Sequence, residues 1–256
     1  MIPKIIHYCW YGNKELPELA THCIESWKRF CPEYKIMRWD ETNTNLNEND
    51  YIKEAYENKK WAFITDYVRL KALYEVGGVY MDTDVELVDT LDLFLKHEAF
   101  SGFENDIQIP TGIMAAQKGH PFFKQLIAYY EGRHFIRENG TVDTTTNVQI
   151  ITDMALQKGF RPNNTFQTVC GMTFYPRDYF CPKDHATGLI NRTENTVCIH
   201  HFDGSWHSKD EKIMIEREQW FVRTFGGVIG DMFFKVYKNL FHPKNIIEKI
   251  KRLNDN

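Results

Sequence analysis

The chain has 256 residues, of which 43% are hydrophobic and 26% are charged, and its formal net charge is −4 at pH 7. This length and hydrophobic content allow one sizeable core, or one domain with an added subdomain. The acidic balance argues against a general nucleic-acid binder, which carries a basic patch.

Six cysteines occur, and none forms the CxxC pair that is typical of zinc sites, which favours free thiols. No stretch of about 18 apolar residues is present, so we expect no membrane-spanning helix. The N-terminus lacks the basic and apolar regions of a signal peptide. These features lead us to expect a cytoplasmic protein.

The first elements alternate between strand and helix. Residues 4–10 are short, apolar and β-prone, which predicts a buried strand. Residues 16–30 place apolar side chains at helical spacing, which predicts an amphipathic helix, and residues 35–39 read as a second strand. Strand, helix and strand in this order predict a parallel crossover.

The middle of the chain contains the strongest helix signal. Residues 61–76 are predicted to form a helix that ends at Gly77-Gly78, since glycine tolerates the positive φ just past a helix end. A short strand over residues 79–81 then runs into Asp82-Thr83-Asp84. The other predicted elements are a short helix within 40–60, a strand over 98–103, a helix over 121–131, one helix within 134–165, and a late strand over 197–201.

This order of elements predicts an α/β domain over residues 1–208. A helical C-terminal extension follows over residues 209–256.

The two acidic residues after the third strand are the main candidate site. Asp82 and Asp84 are two apart at a strand end, so both carboxylates can face one ion. Open α/β sheets bind their ligands at such strand ends. Two hard oxygen ligands suit Mn²⁺ or Mg²⁺, and a bound ion would offset the negative charge on a departing diphosphate.

Asp66 and Arg69 precede the acidic pair on the predicted helix. They are three residues apart and therefore share a helix face. One interpretation is an intrahelical ion pair, and the other is that both project into the cleft and bind hydroxyl groups.

Three motifs resemble a known enzyme family. Residues 61–69 (WAFITDYVR) and 73–85 (LYEVGGVYMDTDV) resemble the DXD-containing sugar-transferase region of family 32 glycosyltransferases and, more distantly, the clostridial glucosylating toxins. Residues 2–10 resemble this family's start, and residues 200–206 (HHFDGSW) resemble its late motif. The likeness spans about residues 2–207. Within the family, the chain most resembles bacterial members of the capsular-polysaccharide synthesis type.

The resemblance implies a GT-A fold, which is a Rossmann-like nucleotide-binding sheet, and a retaining, metal-dependent transferase. It implies that a sugar moves from a nucleotide-diphosphate donor, with a UDP-hexose as the first expectation, to a saccharide or lipid-linked acceptor. Catalytic roles fall on Asp66, Arg69 and Asp82. The donor-binding residues implied are Trp10, Asp66, Arg69, Tyr80, Asp82, Thr83, Ser205 and Trp206.

The metal ligands implied are Asp82, Asp84 and a third residue of the late motif. His201 and Asp203 are the alternatives for this third position. His201 is preferred because the late strand would deliver it to the site and imidazole suits Mn²⁺. Strand alternation would then turn His200 to the opposite side.

The C-terminal segment 233–253 mixes aromatic, aliphatic and basic residues. Such a segment is expected either to contact the inner face of a bacterial membrane or to dock on the core with one solvated face. Two other functions remain open: a metal-dependent phosphohydrolase that uses the same Asp-x-Asp, and a non-catalytic carbohydrate-binding domain. Residues 82–86 lack the haloacid-type pattern that the phosphohydrolase would need.

Overall fold

A computed structural model describes residues 1–205 and 208–241. The chain divides into two compact units. The first contains residues 1–183 and 191–203, and the second contains residues 184–190 and the chain from residue 204 onward.

The first unit is built on a mixed seven-stranded sheet with the strand order β2-β1-β3-β6-β5-β8-β7, and β4 pairs with β9 in a small second sheet. The strands are β1 Ile5–Cys9, β2 Lys35–Trp39, β3 Gly78–Met81, β4 Val85–Leu87, β5 Ala99–Gly102, β6 Ile113–Ala116, β7 Gln167–Val169, β8 Met172–Tyr175 and β9 Cys198–His200. The helices are α1 Glu18–Phe30, α2 Asp50–Glu57, α3 Trp61–Glu75, α4 Pro121–Ala128, α5 Asn147–Leu156 and α6 Arg177–Phe180.

The predicted α/β class is confirmed. Strands β1 and β2 are parallel, as the strand–helix–strand order indicates, and β1 also pairs in parallel with β3. Strands β4, β6, β7 and β8 were not predicted. Each has only three or four residues, which gives only a weak periodic pattern.

Two hydrophobic clusters cover the two faces of the large sheet. Val79 and Met81 belong to the cluster that contains the apolar face of α1, whereas Tyr80 belongs to the cluster that contains α3. This division follows from the alternation of side chains along a strand. Because both faces of β3 are buried, its end delivers Asp82 to a fixed place at the edge of the sheet.

Helix α1 also holds the small sheet. The Trp27 indole N–H donates to the main-chain oxygen of Val85, at 2.7 Å. The Leu87 main-chain N–H donates to Ser26 Oγ, at 2.9 Å. Both contacts are buried, so they fix β4, which continues directly from the acidic turn.

The start of β3 depends on a buried histidine. His7 Nε2 lies 2.8 Å from the Gly77 carbonyl oxygen, and the Trp39 indole N–H donates to His7 Nδ1 at 3.1 Å. A ring with one donor and one acceptor bond is neutral, and burial lowers the pKa of His7 accordingly. His7 thereby ties β1, β2 and the turn before β3 together.

The described part of the second unit contains two helices, α7 Lys209–Phe225 and α8 Gly227–Phe241. A capping box of Ser208 and Glu211 begins α7. Phe221 on α7 packs against Phe234 on α8, with 6.1 Å between ring centroids. None of the described helices combines the length and apolar character needed to cross a membrane. The predicted membrane-contact segment falls largely outside the described residues, since these end at 241.

We expect Gly78→Ala to destabilise the fold strongly. Gly78 has a φ of +118°, and an added Cβ would lie 2.7 Å from the Ile5 main-chain oxygen. Strain and clash together should lower the free energy of unfolding by about 3 kcal/mol. Urea unfolding measures this loss.

Gly119→Ala is the matched control, because Gly119 also has a positive φ of +77° but has no atom within 4 Å of an added Cβ. This control should lose only about 1–2 kcal/mol. Equal losses in the two variants would show that the close approach to Ile5 has no energetic role.

Candidate functional site

The Asp82-Thr83-Asp84 turn joins the two sheets at the carboxyl end of β3. The Asp82 N–H donates to the Gly112 oxygen at 2.8 Å, and the Val85 N–H donates to the Asp82 oxygen at 3.0 Å. The first bond anchors Asp82 to the large sheet. The second closes the turn, so that β4 starts immediately after Asp84. Both carboxylates therefore lie at an edge where the main chain is fixed on either side.

The late strand β9 reaches this turn by pairing antiparallel with β4, with Val85 opposite His200. His200 Nε2 lies 3.4 Å from Asp84 Oδ1. Potential ligand atoms of Asp82, Asp84 and His200 all lie within 4.8 Å of one another. Within the described residues, these three form the group that could hold a metal ion.

The expectation that His200 faces away from the acidic pair is wrong. His200 lies beside Asp84, whereas His201 Nε2 contacts Glu86 Oε2 at 2.9 Å. Strand alternation does direct the two histidines to opposite sides. The β4–β9 register, however, directs His200 and not His201 toward the acidic pair.

The remaining residues of the late motif support the turn through the main chain. The His201 N–H donates to the Asp84 main-chain oxygen at 2.9 Å. The Asp203 N–H donates to Asp84 Oδ2 at 2.8 Å. The Lys183 ammonium donates to the His201 oxygen. Asp203, the alternative third ligand, thus contacts the Asp84 carboxylate through its main-chain N–H.

Gly112 makes room for the His200 ring. A Cβ on Gly112 would lie 2.7 Å from His200 Nδ1 and 2.8 Å from Cε1. The imidazole therefore packs directly on the main chain of the segment before β6. Any larger residue at position 112 would displace His200 from Asp84.

Asp66 and Arg69 form part of the same network. Arg69 Nη2 lies 3.4 Å from Asp66 Oδ1 and 3.3 Å from Asp82 Oδ1, so the ion pair expected within the helix extends to the acidic turn. Arg69 Nη1–H also donates to the Thr111 main-chain oxygen at 3.0 Å. The Tyr80 hydroxyl donates to Asp82 Oδ1 at 2.7 Å. Arg69 is thus a buried cation whose contacts orient the carboxylates of Asp66 and Asp82.

Asn147, at the start of α5, holds Asp66 from the other side. Its side-chain amide donates to the Asp66 main-chain oxygen at 2.7 Å, and the Tyr130 hydroxyl donates to its Oδ1 at 2.7 Å. Asn147 is fully buried. Its sequence setting is a polar stretch that resembles a surface loop, so only the folded contacts indicate this supporting role.

The charges at the site perturb each other strongly. Burial raises the pKa of Asp66 to about 6, although Arg69 acts in the opposite direction. Burial also tends to raise the pKa of Asp84, but the His200 imidazole and the Asp203 N–H outweigh it and lower that pKa to about 2. Burial lowers the pKa of His200, but Asp84 outweighs this and raises it. Such shifts are frequent at functional sites.

Glu104, which follows β5, is a further acid at this edge that the sequence did not single out. It is half-buried, and its carboxylate interacts electrostatically with His200 and Asp82. Burial raises the pKa of Glu104. No local motif marks this residue, since its place depends on the pairing of β5 with β6.

The other predicted donor-binding residues are spread over both units. Trp10 follows β1, is half-buried, and donates its indole N–H to the Lys14 oxygen at 2.7 Å. Since β1 and β3 are parallel neighbours, Trp10 and Thr83 follow strands that end at the same sheet edge. Ser205 is exposed and belongs to the second unit. Trp206 lies outside the described residues.

A family model matches the part of the chain that contains the acidic turn. Residues 17–101 match the model of a family described as "Glycosyltransferase sugar-binding region containing DXD motif". The inositol phosphoceramide mannosyltransferase 3 of Schizosaccharomyces pombe is 34% identical over 130 residues, which are 49% of this chain and 36% of the relative.

The mannosyl phosphorylinositol ceramide synthase SUR1 of Saccharomyces cerevisiae is 26% identical over 226 residues, which are 84% of this chain and 54% of the relative. The chain thus spans less than two thirds of the length of these two relatives. Among solved structures, a glycosyltransferase involved in glycosylation of the major capsid of PBCV-1 aligns with a TM-score of 0.47 and 11% identity, covering 82% of this chain and 97% of its own. Residues 17–101, which contain Asp82-Thr83-Asp84, are therefore similar to a glycosyltransferase sugar-binding region that contains a DXD motif.

Proposed function

We propose that the protein is a metal-dependent glycosyltransferase of the GT-A type. It would move a sugar from a nucleotide-diphosphate sugar to a saccharide or lipid-linked saccharide acceptor. One observation carries this proposal: the Asp82, Asp84 and His200 ligand group shares a network with the buried Asp66–Arg69 pair at one sheet edge.

The donor set fits a divalent cation such as Mn²⁺ or Mg²⁺. Two carboxylates and one imidazole converge within 4.8 Å, and carboxylate oxygens suit these hard ions. We propose His200 as the third ligand in place of His201, because His201 Nε2 is engaged by Glu86. A bound ion would supply the positive charge that offsets the charge developing on the leaving diphosphate.

Asp66 and Arg69 would bind the hydroxyl groups of the donor sugar. The Asp66 carboxylate accepts hydrogen bonds, and the Arg69 guanidinium fixes it from one side while Asn147 fixes it from the other. A carboxylate that is held in a buried network keeps its orientation without reorganisation when a ligand arrives. The cost of keeping Asp66 buried favours a binding role over a purely structural one.

The remaining roles rest on the sequence resemblance. Trp10 would stack on the donor base, and Tyr80 and Thr83 would line the donor site. Ser205 and Trp206 would contact the diphosphate. Retention of configuration, a role in capsule or surface polysaccharide synthesis, a cytoplasmic location and a contact with the inner face of a bacterial membrane belong to the same proposal.

The donor is proposed to be a UDP-hexose, with a mannosyl donor as the competing choice. The names of the two yeast relatives describe mannosyltransfer or mannosyl-lipid synthesis. GDP-mannose therefore belongs in any test beside UDP-glucose and UDP-galactose.

One prediction of the proposed function concerns turnover of these donors. With Mn²⁺ present, we expect the full chain to release nucleoside diphosphate from one of the three nucleotide sugars. Asp84→Asn should reduce this release by about 100-fold or more, because it removes an ionised ligand of the cation. Chromatographic measurement of released UDP or GDP checks it, and added EDTA should abolish it.

Asp89→Asn provides a matched control outside the ligand group and should leave nucleotide release unchanged. Inorganic phosphate as the sole product would identify a phosphohydrolase instead. Binding of sugars without any release would identify a carbohydrate-binding domain. Near-normal turnover by Asp84→Asn would place the cation elsewhere.

Another prediction concerns the free-energy cost of burying Asp66. In the folded protein the pKa of the Asp66 carboxyl is about 6, whereas in an unfolded chain it is about 4. The folded state therefore binds more protons in this window, and this contribution to stability is lost as pH rises through it. Well above this folded pKa, Asp66→Asn should thus be more stable than the wild type by roughly 3 kcal/mol.

Urea unfolding of both proteins at pH 4 and pH 7.5 measures this difference, which should be near zero at the lower pH. The same variant should lose donor turnover, since an amide cannot replace the carboxylate. A variant that is equally destabilised at both pH values would show that Asp66 serves mainly as a structural partner of Arg69.

A further inference from the structure

The His200 ring has one nitrogen that its surroundings leave unsatisfied. His200 is only 8% exposed, and its Nε2 faces Asp84 at 3.4 Å. Its Nδ1 is buried and has no hydrogen-bond partner among the described residues. An unpaired buried polar group costs about 1–3 kcal/mol. Such an atom therefore points to a partner that joins it in the working state.

Strand register brings Glu104 to the same edge of the sheet. Met81 pairs with Ile113, and β5 pairs with β6 so that Phe100 lies opposite Ala115. Continuing this register sets Gly102 level with Met81. Glu104 therefore extends past the edge two residues beyond its strand, just as Thr83 does beyond β3.

His200 packs on the segment that lies between Thr83 and Glu104 at this edge. Gly112 precedes β6, and β6 lies between β3 and β5. The His200 ring occupies the space that a side chain at position 112 would fill. The imidazole thus packs on the segment that separates the end of β3 from the end of β5.

Glu104 has no competing partner in the part of the chain that the structure describes. Its main-chain N–H donates to the Gln108 oxygen at 2.8 Å, but no side-chain hydrogen bond or ion pair joins its carboxylate to another described residue. The groups that act on it electrostatically are His200 and Asp82. A half-buried carboxylate and a buried ring nitrogen are therefore both without a hydrogen-bond partner, and their two side chains interact electrostatically.

We propose that Glu104 is a positioning residue for His200. Its carboxylate accepts a hydrogen bond from the Nδ1–H of the imidazole, directly after a side-chain rotation or through one water molecule. This bond holds the proton on Nδ1 and leaves the Nε2 lone pair directed at the cation. Histidines that bind metals commonly donate their other N–H to a carboxylate in this way.

The inference rests on the proposed cation site. A neighbouring histidine–glutamate pair offers an alternative arrangement against which it can be tested. His201 and Glu86 form a second histidine–glutamate pair, but there Nε2 already contacts the carboxylate at 2.9 Å. If His201 were the ligand, Glu86 would be the residue that supports it. Variants of Glu104 and Glu86 therefore distinguish the two arrangements.

The test is Mn²⁺ affinity of the full chain, measured by electron paramagnetic resonance of free Mn²⁺ and by calorimetry. We expect Glu104→Ala to weaken Mn²⁺ binding by about 10–100-fold, the usual effect of removing such a partner. Glu104→Gln should cause a smaller loss, because its amide oxygen still accepts the hydrogen bond. Glu86→Gln, the matched control, should change the affinity by less than about twofold.

A double-variant cycle separates positioning from general damage. In a His200→Ala background, Glu104→Ala should have no further effect on Mn²⁺ affinity, because the residue acts through the imidazole. The thermal midpoint of the metal-free protein should change little in Glu104→Gln, which excludes a merely structural role.

Four outcomes would overturn the inference. Wild-type affinity in Glu104→Ala, or an undiminished effect in the His200→Ala background, would show that Glu104 does not act on His200. A loss confined to Glu86→Gln would assign the role to His201 and Glu86. Failure of the wild type itself to bind Mn²⁺ would instead reject the proposed cation site, and the inference with it.

Discussion

The candidate site depends on main-chain hydrogen bonds that fix a three-residue turn between two sheets. Asp82 is bound on one side by the Gly112 oxygen, and Asp84 is bound on the other by the N–H groups of His201 and Asp203. Main-chain bonds thus hold both acids, while the Asp84 carboxylate also accepts the Asp203 N–H and the Asp82 carboxylate also accepts the Tyr80 hydroxyl. Because strand pairing fixes the main chain, the Asp82 and Asp84 carboxylates stay close together despite their mutual repulsion. Both can therefore face one ligand.

A buried guanidinium makes this concentration of negative charge tolerable. Arg69 lies between Asp66 and Asp82 and stacks over the Tyr80 ring, with 4.8 Å from the guanidinium carbon to the ring centroid. A planar cation can serve several acceptors at once, which a lysine ammonium does less well. Burying such a group is costly unless its donors are satisfied, and here they bind two carboxylates and two main-chain oxygens.

Local sequence signals predicted the part of the site that lies on continuous elements. The helix over residues 61–75, the glycine pair after it and the buried strand before Asp82 each have a recognisable pattern, so the acidic turn and the Asp66–Arg69 pair could be located. Their mutual contact is a consequence of α3 packing against the face of β3 that carries Tyr80.

The contributions of β5 and β9 could not be read in the same way. Alternation states that His200 and His201 point to opposite sides, but a three-residue strand contains no pattern that tells which side faces the turn. That choice is made by the pairing of β9 with β4. Glu104 likewise becomes relevant only through the β3–β6–β5 register, and Asn147 only through the docking of α5 on α3. These are properties of strand pairing and packing between distant segments.

The bond between the Asp203 N–H and the Asp84 carboxylate joins residues 119 positions apart. While the chain is being synthesised, the acidic turn therefore leaves the ribosome long before the segment that completes it. Contacts of such sequence separation form late, because a long loop must close first. A nascent or truncated chain that ends before β9 would expose an acidic turn without its imidazole, and the proposed ion site would be complete only once the last strand of this unit docks.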